Sequence, residues 1–371
     1  RARSLAAVIG REFDLDLLTT VLDADEDRLL DLLDGAIGAG LITVPDQHED
    51  GYRFVHALIQ HTLYQDLSGP RRQRAHQRVA EAMEARATRG DAPVEELARH
   101  WLSATRPHDA TKALEYVRRA GDAAMGSYAP LDAARWYGEA LDLLARQAPD
   151  DPRVRCEVLV ELGNAQRLAG LPEHRNTLRH AGRLALDLGG RDLLVGVARS
   201  RGAMGDNSVE VDPDRLAVLD AALDAVGPDD SADRAHLLAC LAEETDPRDV
   251  AERVALAAEA IEVARRVGDE RTLLAVLILA LSPLVTPDTL ELRRTAAELA
   301  IEIGERLDDL SALVHAHYFR AFCDVEIGDL AAFDAHLAAM RPLPAATGLP
   351  TDELMVVMLE AWRHLLAGRT Q

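Results

Sequence analysis

Histidines, acid clusters and cysteines are the residues of this sequence whose types and spacing could support chemistry. His56 stands in "YRFVHALIQHTLYQDL", Tyr52 to Leu67, between Val55 and Ala57, where strand-like spacing passes into helical spacing. An imidazole there either hydrogen-bonds a backbone carbonyl at the junction or donates to a ligand held by a neighbouring domain. His56 and His61 are five residues apart, and His315 and His317 diverge on a helix; neither pair has the i, i+4 spacing that a metal site on one helix face uses. The acid clusters "DADEDR" and "PDDSAD" lack the calcium-loop spacing with its terminal glutamate and read as helix caps and solvated loops. Cys156, Cys240 and Cys323 lie far apart with no C-x-x-C pair, as expected of small core residues in a reducing compartment rather than of a disulfide scaffold or a zinc site.

The usual catalytic motifs are missing. The one lysine, Lys112, follows Thr111 and belongs to no phosphate-binding loop, and neither G-x-S-x-G nor H-E-x-x-H occurs. "GAIGAG", Gly35 to Gly40, resembles a dinucleotide fingerprint, but it follows a helix and precedes a strand. That is the wrong order for a pyrophosphate on a helix N-terminus, so helix termination is the better reading. The sequence therefore predicts no catalytic residue, no metal and no nucleotide loop of its own. An enzyme with an unrecognised site between helices is the competing reading, marked by a cluster of buried ionisable groups in a pocket.

The elements that must position these residues follow from composition and pattern. The chain has 371 residues, 48% hydrophobic but only 4% aromatic. Abundant Ala and Leu favour helix, since they lose little rotamer freedom there, and the length suggests two or three domains. A formal net charge of −22 disfavours nucleic acid and anionic lipid as partners of the whole surface. No run of eighteen apolar residues occurs and the start "RARSLAAVIGREF" has no signal-peptide core, so a cytoplasmic location is expected. Without an initiator Met the sequence reads as an excised piece of a larger protein.

From Ser4 to about Arg89 the pattern is three helices, a short strand, a loop, a short strand and a helix. "LITV" and "YRFV" flank the polar loop "PDQHEDG" and read as a hairpin; three helices and a hairpin are the winged-helix layout. Its third helix carries Asp25, Glu26, Asp27, Asp31 and Asp34 against Arg28, which makes it a poor reader of a DNA groove. The basic stretch "GPRRQRAHQR", Gly69 to Arg78, is read first as an exposed or domain-facing helix. From about Asp91 only helical periodicity remains. "AGRLALDLGGRDLLVGVA", "AAEAIEVARRVGDERTLLAVLILA" and "AAELAIEIGERLDDLSALVHAHY" align, with Gly189, Gly227, Gly268 and Asp308 at matching turns, about forty residues apart, within the period of helical-pair solenoids. "APLDAARWYGEALDLL" resembles a tetratricopeptide helix, in which Arg135, Trp136 and Tyr137 are groove or core residues. The expected fold is mostly α: a winged-helix domain with a small β-hairpin at 1–90 and a tetratricopeptide-like α-solenoid at 91–371.

"SLAAVIGREFDLDLL", "GAIGAGLI", "YRFVHALIQHTLYQDL", "RRQRAHQRVAEAME" and "ELARHWLSA" together resemble the segment that follows the ATPase core in bacterial signal-transduction ATPases of the STAND class. These include LuxR-type ATP-binding regulators and the ATPase regions attached to class III adenylate or guanylate cyclases. The resemblance covers about Ser4 to Leu144 and is only architectural beyond it. It implies a winged helix packed on an upstream ATP/ADP-binding domain and a repeat array sensing a protein, peptide or small effector, with possible self-association and an output in transcription or cyclic-nucleotide synthesis. It also implies that His56, in the context "RFVH", reaches the β-phosphate of ADP, while His61, His76 and His100 are structural. A stand-alone tetratricopeptide-type scaffold is the alternative, distinguished by whether a P-loop is encoded upstream.

Overall fold

The computed structural model of the chain describes residues 2–45, 51–87, 94–104, 110–146, 151–200 and 211–368. It divides into two compact units, residues 1–123 with 139–150, and 124–138 with 151–371. The expected boundary at 90/91 lies outside the described residues, as does most of the "PDQHEDG" loop.

The first unit begins with α1 (Ala2–Ile9), β1 (Glu12–Asp14), α2 (Leu15–Leu22) and α3 (Glu26–Gly38). Asp14 caps α2 by accepting from the Leu17 amide at 2.6 Å, and Asp25 caps α3 by accepting from the Arg28 amide at 3.1 Å, satisfying donors that a helix start otherwise leaves unpaired. The "DADEDR" carboxylates are thus a helix start. Leu29, Leu33 and Ala36 form the buried stripe of α3, whereas Ile37 is 36% exposed. Next come β2 (Ile42–Thr43) and β3 (Gly51–Phe54), paired antiparallel with Ile42 opposite Phe54. The sheet order is β1-β3-β2, with Phe13 opposite Tyr52. The unit continues through α4 (Ala57–Gln65), α5 (Gly69–Ala87), α6 (Val94–Ala104), the greater part of α7 (Thr111–Gly126) and the end of α8 (Pro130–Arg146).

The second unit runs through α9 (Pro152–Leu168), α10 (His174–Leu188), α11 (Arg191–Ala198), α12 (Pro213–Val226), α13 (Ala232–Glu244), α14 (Val250–Val267), α15 (Glu270–Leu281), α16 (Leu290–Leu307), α17 (Leu310–Ile327), α18 (Leu330–Met340), α19 (Leu343–Thr347) and α20 (Pro350–Leu366). From α9 to α17 each helix packs on its sequence neighbour, and many also reach the next but one: α9 on α11, α10 on α12, α11 on α13, α13 on α15 and α15 on α17. Contacts confined to near neighbours are the organisation of a helical-repeat stack.

The repeat punctuation is conformational. Gly189 (φ 67°), Gly227 (φ 81°), Gly268 (φ 75°) and Asp308 (φ 54°) terminate α10, α12, α14 and α16 in turn. Positive φ suits glycine, which has no Cβ to clash, and strains an aspartate. Asp308 also sets a carboxylate at the negative end of the helix dipole. Asp308→Gly is therefore expected to stabilise the unit by about 0.5–1 kcal/mol; an unchanged or lower urea midpoint would show that its side chain contributes more than the strain costs.

Arg293, Asp324 and Asp352 are charged residues fully inside this unit. Arg293 of α16, 0% exposed, meets Glu326 of α17 with two parallel contacts, Nη1 to Oε1 at 2.7 Å and Nη2 to Oε2 at 2.6 Å, and also donates to the Thr286 carbonyl at 3.1 Å. This ties the α15–α16 connection to α17. Cys156, Cys240 and Cys323 are buried and form no disulfide with one another, and burial pushes the Cys156 thiol up to about 11, so it stays protonated and donates to the Ala181 carbonyl at 3.4 Å.

Candidate functional site

His56 occupies the point where β3 becomes α4. Phe54 turns into the core, 1% exposed, and the Val55 amide makes the last sheet contact, to the Leu41 carbonyl at 3.1 Å. His56 is then the N-cap residue of α4, extended at φ −128°, ψ 137°. Its carbonyl accepts from the Ile59 amide at 3.0 Å, but its side chain makes no cap hydrogen bond. The ring is exposed and forms no hydrogen bond among the described residues.

The surroundings of His56 are unusually open for a helix start. No residue of α4 is buried; Leu58 is 73% exposed and Val55 37%. An exposed imidazole therefore lies beside the uncapped, electropositive end of a helix and next to bare apolar side chains. Chemically the ring and the free amides suit an anionic oxygen such as a phosphate.

Beneath α4 lies a buried polar relay. Tyr64 Oη is 3.1 Å from His76 Nε2, His76 Nδ1 is 3.0 Å from His100 Nδ1, and the His100 ring also bonds the Ile9 carbonyl at the end of α1. A carbonyl only accepts, so His100 donates to Ile9, His76 donates to His100, and the Tyr64 hydroxyl donates to His76. Four helices are tied by one directed chain, and an orphan helix-terminal carbonyl is satisfied. Burial, aided by Arg72, pushes His76 down to about 4. Burial, aided by His76, pushes His100 down to about 4 against the opposing effect of Ile9. α4 is further tied to α1 by Gln60 Nε2 donating to the Ala7 carbonyl at 2.7 Å.

His61 is exposed on α4. His315 is buried, its Nδ1 donating to the Ser311 carbonyl at 2.8 Å. His317 on α17 instead pairs with His336 on α18, Nδ1 to Nδ1 at 2.8 Å, and burial, aided by His336, pushes it down to about 4. His336 approaches Asp324, 0% exposed, which is ion-paired with Arg320. Sequence spacing gave no hint of this cluster, because its partners come from different helices. Among the described residues no group of three His, Cys, Asp or Glu is placed to hold a metal ion. Trp136 and Tyr137 are core residues, 4% and 2% exposed, while Arg135 is exposed and pairs with Asp132 at 3.1 Å. In "PDDSAD", Ser231 caps α13 and Asp230 pairs with Arg266 at 2.6 Å. No described helix is long and apolar enough to cross a membrane.

No protein-family model and no curated protein sequence matches the chain. Among solved structures it is similar to a signal transduction ATPase with numerous domains that carries a tetratricopeptide repeat sensor, from Pyrococcus horikoshii. The identity is 11% and the TM-score 0.43, over 98% of this chain and 60% of that one. The chain thus spans 60% of the length of that protein.

Proposed function

We propose that this chain is the regulatory and sensor region of a cytoplasmic STAND-class signalling ATPase. In this reading the first unit is a winged-helix domain that docks on an upstream nucleotide-binding domain, and the second is a tetratricopeptide-like array that senses an effector or partner. The chain itself performs no catalysis; ATP and ADP belong to the upstream domain, and the output is control of transcription, as in LuxR-type regulators.

The observation that carries the reading is His56. An imidazole exposed at an uncapped helix start, between bare Val55 and Leu58, places a polar ring beside apolar surface left in water and suits an interface holding a phosphate. Docking there would cover α4 and bring His56 to the β-phosphate of ADP, so that exchange for ATP alters the docked state. The residues quoted above as resembling the family supply the identity of that partner.

The test is the nucleotide content of a polypeptide extended upstream through the ATPase. Wild type is expected to purify with ADP, and His56→Ala to lose most of it or carry ATP instead. Equal ADP in both would make His56 a structural residue, and an upstream sequence without a P-loop would favour the scaffold reading.

A further inference from the structure

The repeat unit contains a cavity of about 290 Å³ among α13, α15 and the start of α17. Leu274, Ile278 and Leu279 of α15 give it apolar lining, and His236, Arg271 and His315 line it as well. His236 lies on α13, Arg271 on the first turn of α15 and His315 on α17; the Nδ1–H of His315 is already given to the Ser311 carbonyl, which leaves Arg271 as the cation of the lining.

In a chain of net charge −22 Arg271 brings a cation to this lining; its charge acts on Asp269, whose carboxylate also accepts from the Arg271 amide. Arg271 is exposed, and its guanidinium is a fork suited to carboxylate. The one carboxylate lining the cavity, Asp309, is engaged as the cap of α17, accepting from the Ala312 amide at 3.0 Å. Ser311, also on the lining, directs its hydroxyl to Asp352 at 3.2 Å. At about 30 Å³ per water-sized group the volume holds roughly ten non-hydrogen atoms.

We propose that this cavity binds a small organic carboxylate with an apolar tail, its head held by the Arg271 guanidinium, its tail lying on Leu274, Ile278 and Leu279. The binding is a property of this chain. Its role as effector of the sensor rests on the function proposed above.

Octanoate is the probe, titrated calorimetrically into the chain, with octanol and inorganic phosphate as comparisons. Saturable binding of one octanoate per chain is expected, with octanol and phosphate at least tenfold weaker. Arg271→Gln, at an exposed position, should weaken octanoate at least tenfold while leaving the thermal midpoint within a degree or two; Ala275→Phe, from a lining residue, should abolish it. No saturable octanoate binding, equal binding by octanol, or undiminished binding in both variants overturns the site. If octanoate binds as expected yet leaves the nucleotide carried by the upstream-extended polypeptide unchanged, the cavity stands and its role as sensor falls. If octanoate fails to bind, the His56 experiment is untouched.

Discussion

Glu326→Ala lowers the stability of the repeat unit by about 3 kcal/mol, while Arg293→Met changes it by about 1 kcal/mol or less. The asymmetry follows from where the two charges sit. Arg293 is fully buried, and its side chain is 1% exposed against 35% for that of Glu326. Deleting the glutamate strands a guanidinium that cannot reach water, the costly way to break a buried pair. Partial access of water to the vacated site holds the cost at the low end of the usual range of about 3–5 kcal/mol. Replacing the arginine by an apolar chain of similar length removes the desolvated charge instead. The Thr286 carbonyl then loses one donor but keeps the Thr289 amide at 3.2 Å and its hydroxyl at 3.0 Å, and Glu326 turns to solvent. Denaturant unfolding followed through Trp362, packed on Phe322 at 4.3 Å, measures both; similar effects of the two substitutions would show that the pair contributes packing rather than charge compensation.

Acidification from pH 7 to pH 5 should destabilise the first unit by about 2 kcal/mol through His76 and His100. Each imidazole has a folded value of about 4 against 6.5 for the free group. Between those values the unfolded chain binds more protons than the folded one, so stability rises with pH. The contribution is complete above 6.5 and is lost as pH falls towards 4. The total is put below the sum of two independent groups because His76 and His100 are coupled and titrate as a pair rather than as two separate sites. Urea unfolding followed at Trp101, in a chain with Trp136 and Trp362 replaced by Phe, reports the first unit alone. The His76→Phe, His100→Phe double variant should show a flattened pH dependence, and an unchanged slope would place the acid sensitivity elsewhere. Burial of His317 beside His336 gives the repeat unit its own acid-sensitive pair, which this probe does not see.

Much of the architecture was readable because it rests on local rules. The turns after α10, α12, α14 and α16 were visible as Gly189, Gly227, Gly268 and Asp308, since a positive φ demands particular residue types. The hairpin of "LITV" and "YRFV" was visible because alternation and turn residues mark it. β1 was not: Glu12–Asp14 is too short to carry a period of its own and is a strand only because β3 pairs with it. His56 was legible as a junction residue, and its exposure was not, since burial depends on what packs over α4. The rings of His76 and His100 meet across 24 residues, and those of His317 and His336 across 19. The residues of the cavity likewise come from helices that sequence spacing alone does not bring together.

The near-neighbour packing of α9 to α17 has a mechanical consequence. With packing concentrated between near-neighbour helices among the described residues, the helix interfaces act as compliant joints in series, and a small rotation at each adds to the next. An occupant wedged among α13, α15 and α17 would then be felt as an accumulated angle along the stack, with no single interface needing to break.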